Sequence, residues 1–343
     1  SSASLSAVFD SLADGDYFFQ AFSADQTGHL ASLEKRGVRI DAKPPLITIE
    51  FPREGTAYSV PLIANVTLDE PANLISFGIY TGASKITGGL LTSVDGTHYF
   101  AQIDDLRDGT YSFKVFANDS SGNRNDTTQI KTFYIDQSVP SLQFLPPTEP
   151  NGSTLSKTNI SVKVQANDNV KTDTTSITLY NARKEVLESR KTTTLSPFST
   201  DFTELEDGVY YFDARVNDSV GNINRTEMRQ VIIDTTSPAF IEFGEPTPRT
   251  GDKYSQSTLW INVSAKDLGL IKSVVVRLFD ESNKQVAVRT LLGAPSKTFY
   301  LANFSDLTNG NYFFNATVSD TVGNENYSET RSISLDAVPP TLQ

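Results

Sequence analysis

The sequence predicts an all-β protein built from repeated β-sandwich domains, and three observations support this prediction. One phrase recurs along the chain, as DGTYSFKVFANDSSGN at 108–123, DGVYYFDARVNDSVGN at 207–222 and NGNYFFNATVSDTVGN at 309–324, with a diverged copy, DGDYFFQAFSADQTGH, at 14–29. The copies lie 94, 99 and 102 residues apart, and a repeat of about 100 residues is the size of a sandwich domain. Ser and Thr together number 73 and Tyr and Phe are frequent, whereas Met and Trp occur once each. This composition favours strands.

The recurring phrase is predicted to form one strand and the turn that follows it. Tyr111, Phe113 and Val115 occupy alternate positions, which is typical of a strand with one face on a core. The segment DSSGN should then be a hairpin turn in which Asp119 accepts backbone hydrogen bonds and Gly122 adopts the left-handed conformation. The segment TTQIKTFYID that follows is predicted to be the returning strand.

The residues that open each of these strands match a tyrosine corner, in which a tyrosine hydroxyl bonds back to the backbone of the preceding turn. The pattern LxDGxY occurs at 106–111 and again at 205–210. On these motifs the whole chain resembles the tandem immunoglobulin-like domains, related to cadherin and fibronectin modules, of prokaryotic and particularly archaeal cell-surface proteins. The resemblance specifies a fold far more strongly than a function. The predicted corner tyrosines are Tyr17, Tyr111, Tyr210 and Tyr312.

A second marker sets the domain boundaries. Asp41, Asp136, Asp234 and Asp336 each end an apolar stretch, and one or two prolines follow each of them within a few residues. Short joints that contain proline predict a stiffened rod of tandem immunoglobulin-like sandwiches. The predicted segments are a partial domain at 1–42, complete domains at 43–137, 138–236 and 237–337, and a linker to a further domain at 338–343.

The partial domain at 1–42 contains only the last three strands of a sandwich. Three short strands bury too little surface to offset the chain entropy, so we expect something to cover the face that they leave open. Either this chain is a segment of a longer array, or a neighbouring subunit donates the missing strands. The tail VPPTLQ looks like the start of a further domain, which favours the first alternative.

Charge and motif content exclude several functional classes. The net charge is −12 and the pI is near 4.7, which argues against a surface that binds nucleic acid. The absence of cysteine removes disulfides, zinc–thiolate sites and thiol nucleophiles. No P-loop, nucleophile elbow or HExxH motif occurs, and no apolar run is long enough to span a membrane. We therefore expect no enzymatic activity and no membrane span in this segment.

Acceptor motifs for N-linked glycans are more frequent than chance predicts. Eleven Asn-x-Ser/Thr motifs occur, whereas the frequencies of these residues predict between four and five. Two interpretations remain open: asparagine and serine or threonine populate turns and outer faces, or the surface is glycosylated. Many such motifs without cysteine favour an archaeal glycoprotein. The candidate sites are Asn65, Asn118, Asn125, Asn151, Asn159, Asn217, Asn224, Asn262, Asn303, Asn315 and Asn326.

Acidic residues are expected to meet where one domain joins the next. The last acid of one domain should lie beside acids from two loops of the following domain, and carboxylate and amide oxygens are ligands that calcium prefers. Each acid could instead cap its own turn, so turn chemistry and calcium binding are both possible. The candidate ligands are Asp41, Glu70 and Asp119 at the first joint, Asp136, Asp168 and Asp218 at the second, and Asp234, Asp267 and Asp320 at the third.

Together these features predict an extracellular structural protein of the cell surface, such as an S-layer or filament component. Its expected partners are copies of itself, neighbouring repeats and N-linked glycans, with calcium as the one candidate cofactor. The alternatives are a non-catalytic stalk of a secreted enzyme and an adhesin.

Overall fold

The computed structural model describes residues 4–126, 129–194 and 196–339, and it describes Phe240 by its backbone only. Among these residues there are strands, turns and loops but no helix, and so no helix that could cross a membrane. Of the predicted linker at 338–343, residues 340–343 lie outside the described residues. The chain divides into two compact units, one of residues 1–139, 168–171 and 219–222 and the other of residues 140–167, 172–218 and 223–343.

The first unit begins with two small antiparallel ribbons. Strand β1 pairs with β4, and β2 pairs with β3. We call the β1–β4 pair the N-terminal ribbon. The strands are β1 (Gly15–Phe19), β2 (Phe22–Ala24), β3 (Leu30–Ser32) and β4 (Arg36–Ile40).

A complete sandwich follows in the same unit. Its strands are β5 (Ile47–Phe51), β6 (Thr56–Tyr58), β7 (Leu62–Leu68), β8 (Leu74–Thr81), β9 (Ser84–Leu90), β10 (Thr92–Ser93), β11 (His98–Ile103), β12 (Gly109–Asn118), β13 (Arg124–Asn125) and β14 (Lys131–Ile135). One sheet has the order β10-β11-β7-β5, and the other has the order β6-β14-β12-β8-β9, with β13 paired to β12.

The second unit contains two more sandwiches with the same plan. The first has β15 (Ser141–Leu145), β16 (Ser153–Leu155), β17 (Ile160–Asn167), β18 (Thr172–Tyr180), β19 (Val186–Thr192), β20 (Phe198–Phe202), β21 (Gly208–Asp218), β22 (Ile223–Arg225) and β23 (Arg229–Ile233). The other has β24 (Ala239–Gly244), β25 (Asp252–Tyr254), β26 (Leu259–Lys266), β27 (Ile271–Asp280), β28 (Gln285–Leu292), β29 (Phe299–Phe304), β30 (Gly310–Asp320), β31 (Glu325–Tyr327) and β32 (Arg331–Leu335). Their sheets run β15-β17-β20 and β16-β23-β21-β18-β19, then β24-β26-β29 and β25-β32-β30-β27-β28.

This strand order is that of an immunoglobulin-like sandwich, in which two antiparallel sheets pack face to face. The smaller sheet contains β5, β7 and β11 in the first sandwich, β15, β17 and β20 in the second, and β24, β26 and β29 in the third. The predicted fold class, all-β with tandem immunoglobulin-like sandwiches, is therefore confirmed. Alternation along the strands explains why these residues form it. Phe113, Val115 and Phe133 are fully buried in the first complete sandwich, while the intervening residues of β12 are half-buried.

Candidate metal centres

The recurring phrase forms one continuous strand in three copies, whereas in the diverged copy the strand is interrupted between Phe19 and Phe22. Asp119 Oδ1 accepts the backbone N–H groups of Ser121 and Asn123 at 2.8 and 2.9 Å, and Gly122 has a φ of 90°, which favours glycine. Each corner tyrosine donates its hydroxyl hydrogen to the carbonyl oxygen four residues earlier. These bonds are Tyr17 to Ala13 at 2.9 Å, Tyr111 to Arg107 at 2.9 Å, Tyr210 to Glu206 at 3.0 Å and Tyr312 to Thr308 at 2.9 Å.

The turn after the long strand also holds the chain that enters its own sandwich. In the first unit, Asn123 Nδ2 donates to the carbonyl oxygen of Asp41 at 2.9 Å, and Asn125 Nδ2 donates to that of Pro45 at 2.9 Å. Each amide thereby fixes a joint residue to the sandwich that follows it. We call this pair of bonds the joint clamp.

The second unit contains the same joint clamp. Asn324 Nδ2 donates to the carbonyl oxygen of Asp234 at 3.2 Å, and Asn326 Nδ2 donates to that of Pro238 at 2.9 Å. The clamp therefore recurs with the same residue types at equivalent positions. It brings the backbone of Asp234, which follows a core strand of one sandwich, against a turn of the next.

Three acidic side chains meet beside the clamp of the first unit. We call Asp41, Glu70 and Asp119 the Asp41 cluster, and a carboxylate oxygen of each lies within 4.8 Å of the other two. Asp119 is buried and accepts a further bond at Oδ2 from Asn123 Nδ2 at 2.8 Å. The hydroxyl of Ser121 donates to Asp41 Oδ2 at 3.3 Å. This cluster is thus partly satisfied by donors of its own turn.

The pKa values of Glu70 and Asp119 in the Asp41 cluster are shifted in opposite directions. Burial raises the pKa of Glu70, and the charges of Asp41, Asp119 and Asp69 raise it further, while Arg39 opposes the rise. Burial would also raise the pKa of Asp119, but hydrogen bonds from the Asn123 side chain and the turn backbone lower it overall. Glu70 therefore gains more from a nearby cation than Asp119 does.

The equivalent acids of the second unit form a more enclosed group. We call Asp234, Asp267 and Asp320 the Asp234 cluster, and a carboxylate oxygen of each again lies within 4.8 Å of the other two. Asp234 and Asp320 are fully buried, and Asp267 is half-buried.

Asp320 is held by its own turn. Its Oδ1 accepts the backbone N–H groups of Val322, Gly323 and Asn324 at 2.9, 2.6 and 2.9 Å, and its Oδ2 accepts Asn324 Nδ2 at 2.8 Å. Turn chemistry, one of the two alternatives predicted from the sequence, thus accounts for Asp320. The other two acids each accept one bond from their own turn, Asp267 Oδ2 from the Gly269 N–H at 3.1 Å and Asp234 Oδ1 from the Thr236 hydroxyl at 3.5 Å.

Asp234 has a carboxylate oxygen whose hydrogen-bonding capacity is unused. Within the described part of the chain, no donor meets hydrogen-bond geometry with the buried Oδ2 atom. A Cβ atom at Gly269 would lie 2.7 Å from that oxygen, so the loop can approach Asp234 this closely only because the residue is glycine. The role of Gly269 could not be predicted from the sequence, because a single glycine in a loop gives no signal of what it approaches.

The electrostatics of the Asp234 cluster favour a proton or a cation between the carboxylates. Burial raises the pKa of Asp267 to about 6, with further rises from Asp234 and Asp320. Burial also raises the pKa of Asp234, the charges of Asp320 and Asp207 add to the rise, and the neighbouring Asp267 carboxyl and Gly269 backbone oppose it. Hard oxygen ligands, a buried oxygen without a donor and excess negative charge fit calcium.

The remaining predicted ligands are distributed over both units. In the first unit, Asp136 is fully buried, and Asp168 Oδ1 accepts the backbone N–H groups of Val170 and Lys171 at 2.9 and 2.8 Å. Asp218 is buried in the second unit at the end of β21. Calcium binding by these three acids stays a prediction.

The candidate glycosylation sites differ in exposure and in the hydrogen bonds of their side-chain amides. Asn65, Asn151 and Asn303 are exposed. Other acceptor amides are half-buried and already donate a hydrogen bond, so their asparagines have a structural role. These bonds run from Asn125 to Pro45, Asn224 to Pro140, Asn326 to Pro238, Asn262 to Glu245, Asn217 to Asp173 and Asn315 to Thr330. Asn118 and Asn159 are half-buried.

Comparisons with known proteins give only distant similarities. No protein-family model and no curated protein matches the chain. Among solved structures it is similar to an ectodomain fragment of ICAM-5, at 13% identity and a TM-score of 0.40, covering 85% of this chain and 78% of that chain. It is also similar to the complex of Dpr2 Ig1-Ig2 with DIP-Theta Ig1-Ig3, at 11% identity, a TM-score of 0.39 and coverage of 84% and 99%. The FN1-FN3 domains of chicken CNTN1 match at 13% identity, a TM-score of 0.31 and coverage of 85% and 98%.

Proposed function

We propose that this chain is a non-enzymatic structural component of an extracellular surface assembly, such as an S-layer or a filament, whose joints between sandwiches are stiffened by calcium. Its partners in this proposal are copies of itself and neighbouring repeats. The joint clamp is the observation that carries the proposal. Within each unit, equivalent hydrogen bonds fix the entering chain to the sandwich that follows it, which suits a part that transmits force.

The acidic clusters support calcium as the stiffening ligand. Each lies beside a joint clamp, so a bound ion would connect the last acid of one sandwich to two loops of the next. Calcium takes six to eight oxygen ligands; the three acids of each cluster bring one carboxylate oxygen apiece together, and second carboxylate oxygens, backbone carbonyls or water would supply the rest. The Asp234 cluster is the stronger candidate, because the buried Asp234 Oδ2 lacks a donor among the described residues.

Glycans are proposed at the acceptor sites whose amides are exposed. Asn65, Asn151 and Asn303 are exposed, so an attached sugar would point into solvent without breaking a core contact. Asn125, Asn224 and Asn326 each use Nδ2 to hold an entering strand. We therefore expect modification at the first group before the second. Acceptor enrichment without cysteine also supports an archaeal cell-surface source.

Calorimetry of the full chain tests the calcium part of this proposal. We expect at least one unfolding transition to move to higher temperature in millimolar calcium and to return when a chelator is added. A ligand that binds only the folded state at 100 times its Kd adds about 2.7 kcal/mol. Unfolding curves that are identical with calcium and with chelator would refute calcium stiffening.

Electron microscopy of native material tests the assembly part separately. A lattice or fibre that contains this chain would support the structural role. Isolated molecules attached to a catalytic domain would contradict it, whatever the calcium result.

A further inference from the structure

The N-terminal ribbon has the same internal pairing as the equivalent ribbon of each complete sandwich. Gly15 pairs with Ile40 and Tyr17 with Val38. The corresponding pairs are Gly109–Ile135 and Tyr111–Phe133, Gly208–Ile233 and Tyr210–Val231, and Gly310–Leu335 and Tyr312–Ile333. Because the register is shared, each residue of the N-terminal ribbon has one equivalent in each of the three complete sandwiches.

Apolar residues that are buried in the complete sandwiches are exposed at the equivalent positions of the N-terminal ribbon. Phe19 is 48% exposed, whereas its equivalents Phe113, Phe212 and Phe314 are fully buried. Val38 is 41% exposed, whereas Phe133, Val231 and Ile333 are at most 2% exposed. These positions belong to one face of the ribbon because strand residues alternate. The apolar face of the N-terminal ribbon is thus a sandwich face that lacks its opposite sheet.

One edge of the ribbon also lacks a strand within the described residues. In the complete sandwiches, β12, β21 and β30 each pair on one side with the returning strand and on the other with β8, β18 or β27. In the ribbon, β1 pairs with β4 and with no second strand of the described chain. The free backbone groups of β1 can therefore accept a further antiparallel strand.

The complete sandwiches specify the chemistry of that strand. Phe113 lies opposite Ile79, Phe212 opposite Leu179 and Phe314 opposite Leu278. Two residues further along the same face, the partner strands carry Phe77, Ile177 and Val276. The strand that pairs with β1 should accordingly place an aliphatic residue opposite Phe19 and a second apolar residue two positions away.

We propose that the N-terminal ribbon is a docking site for the strands of an immunoglobulin-like sandwich that precede the recurring phrase. The occupant brings an apolar strand to the free edge of β1 and an apolar sheet over Phe19 and Val38. This proposal is independent of calcium binding and of the surface assembly, because it depends only on the ribbon and its three equivalents.

Grafting tests the docking site with donors of known structure. Residues 43–107, 138–206 and 237–308 contain the corresponding strands of the three complete sandwiches, and each segment ends where its own recurring phrase begins. Each is joined in turn to Asp14 of a chain that runs from Asp14 to Gln343. We expect at least one graft to slow amide exchange in β1 and β4 by about 100-fold or more relative to the ungrafted chain.

Two substitutions in the successful graft identify the face. Phe19→Ser should abolish the protection, because it removes the core residue. Phe18→Ser is the matched control, since Phe18 lies on the opposite face and is exposed, and it should leave the protection unchanged.

Two outcomes would overturn the proposal. The first is that none of the three grafts protects β1. The second is that the ungrafted chain sediments as a dimer that Phe19→Ser dissociates, since the occupant would then be a second ribbon.

Discussion

The Asp41 and Asp234 clusters occupy equivalent places beside a joint clamp, but they differ in how their charges are compensated. In the Asp41 cluster, Asp41 is half-buried and accepts a hydrogen bond from Ser121, and Arg39 lowers the pKa of Glu70. In the Asp234 cluster, Asp234 is fully buried and its Oδ2 has no donor within the described chain.

This difference indicates that equivalent acids need not bind calcium equally. Partial compensation by Arg39 and Ser121 makes the Asp41 cluster tolerable without an ion. In the Asp234 cluster, hydrogen bonds hold Asp320, but the buried Asp234 Oδ2 has no donor among the described residues and the pKa of Asp267 is raised, which favours a shared proton or a bound cation. We therefore expect the Asp234 cluster to bind calcium more tightly.

The largest expected effect is that of Asp320→Ala, because this carboxylate serves both the turn and the cluster. Leaving its donors unsatisfied should cost about 1–3 kcal/mol without calcium, and the calcium increment should be lost as well. Calorimetry would follow the unfolding transition of residues 237–337. A variant that loses only the calcium increment would show that the turn does not depend on Asp320.

Asp234→Asn should have opposite effects with and without calcium. In calcium it should lose the ligand stabilisation, about 2.7 kcal/mol at 100 times the Kd, or roughly 10–20 °C in Tm. With chelator at pH 7 it should raise Tm, because it removes one of three crowded negative charges and its amide can donate to Asp267. Thermal unfolding of this variant and of the wild type, in calcium and with chelator, measures these opposite changes in Tm.

Glu281→Gln is the matched control for Asp234→Asn. Glu281 is exposed in the sandwich that supplies Asp267 and Asp320, and the substitution changes net charge by the same amount. It should shift Tm equally with and without calcium. A drop in Tm for Asp234→Asn under both conditions would mean that this carboxylate stabilises the fold without metal.

Glu70→Gln should have a smaller effect on calcium stabilisation, because the Asp41 cluster is already partly compensated. We expect a loss of about 1 kcal/mol or less at a calcium concentration near the Kd of that site, measured on the transition of residues 43–137. Glu50→Gln, on an exposed position of β5, is its control. If Glu70→Gln loses more calcium stabilisation than Asp234→Asn does, the proposed order of the two clusters is reversed.

The smallest expected effect is a pH dependence of the calcium-free protein. The pKa of Asp267 is raised from 3.8 to about 6 in the folded state, so the folded state binds this proton more tightly than the unfolded state does. Stability from this group should therefore rise as the pH falls from 7 through 6 towards 4. The contribution of Asp267 is isolated by comparing the change in Tm between pH 7 and pH 5 in the wild type with the same change in Asp267→Asn. An identical pH dependence in both would exclude Asp267 as the titrating group.

Much of the fold could be predicted because the repeat shows each signal several times. The alternation of Tyr111, Phe113 and Val115 and the turn at Asp119 and Gly122 depend on local sequence, which sterics and hydrogen bonding fix within a few residues. The residues of the Asp234 cluster could also be identified, because the sandwich topology brings the two loops that carry Asp267 and Asp320 to the same end.

The charge environment of the clusters could not be predicted from the sequence. Whether Asp234 Oδ2 has a donor depends on the path of a loop at Gly269, and the compensation of Glu70 depends on Arg39, which lies 31 positions earlier in the chain. The sequence also does not show that the side-chain amides of Asn125, Asn224 and Asn326, which lie in acceptor motifs, donate structural hydrogen bonds. An acceptor motif specifies residue types, whereas the carbonyl that each amide contacts lies more than 75 residues away.

The most direct test of the central claim is a calcium titration of the metal-free full chain by isothermal calorimetry, compared with Asp234→Asn. Extracellular and sensor sites bind calcium with a Kd between about 10⁻⁷ and 10⁻³ M. We predict saturable binding in this range, with one fewer ion bound per chain in Asp234→Asn and an unchanged number in Glu281→Gln. Absence of binding heat in the wild type, or the same stoichiometry in Asp234→Asn, would contradict the assignment of a calcium site to the Asp234 cluster.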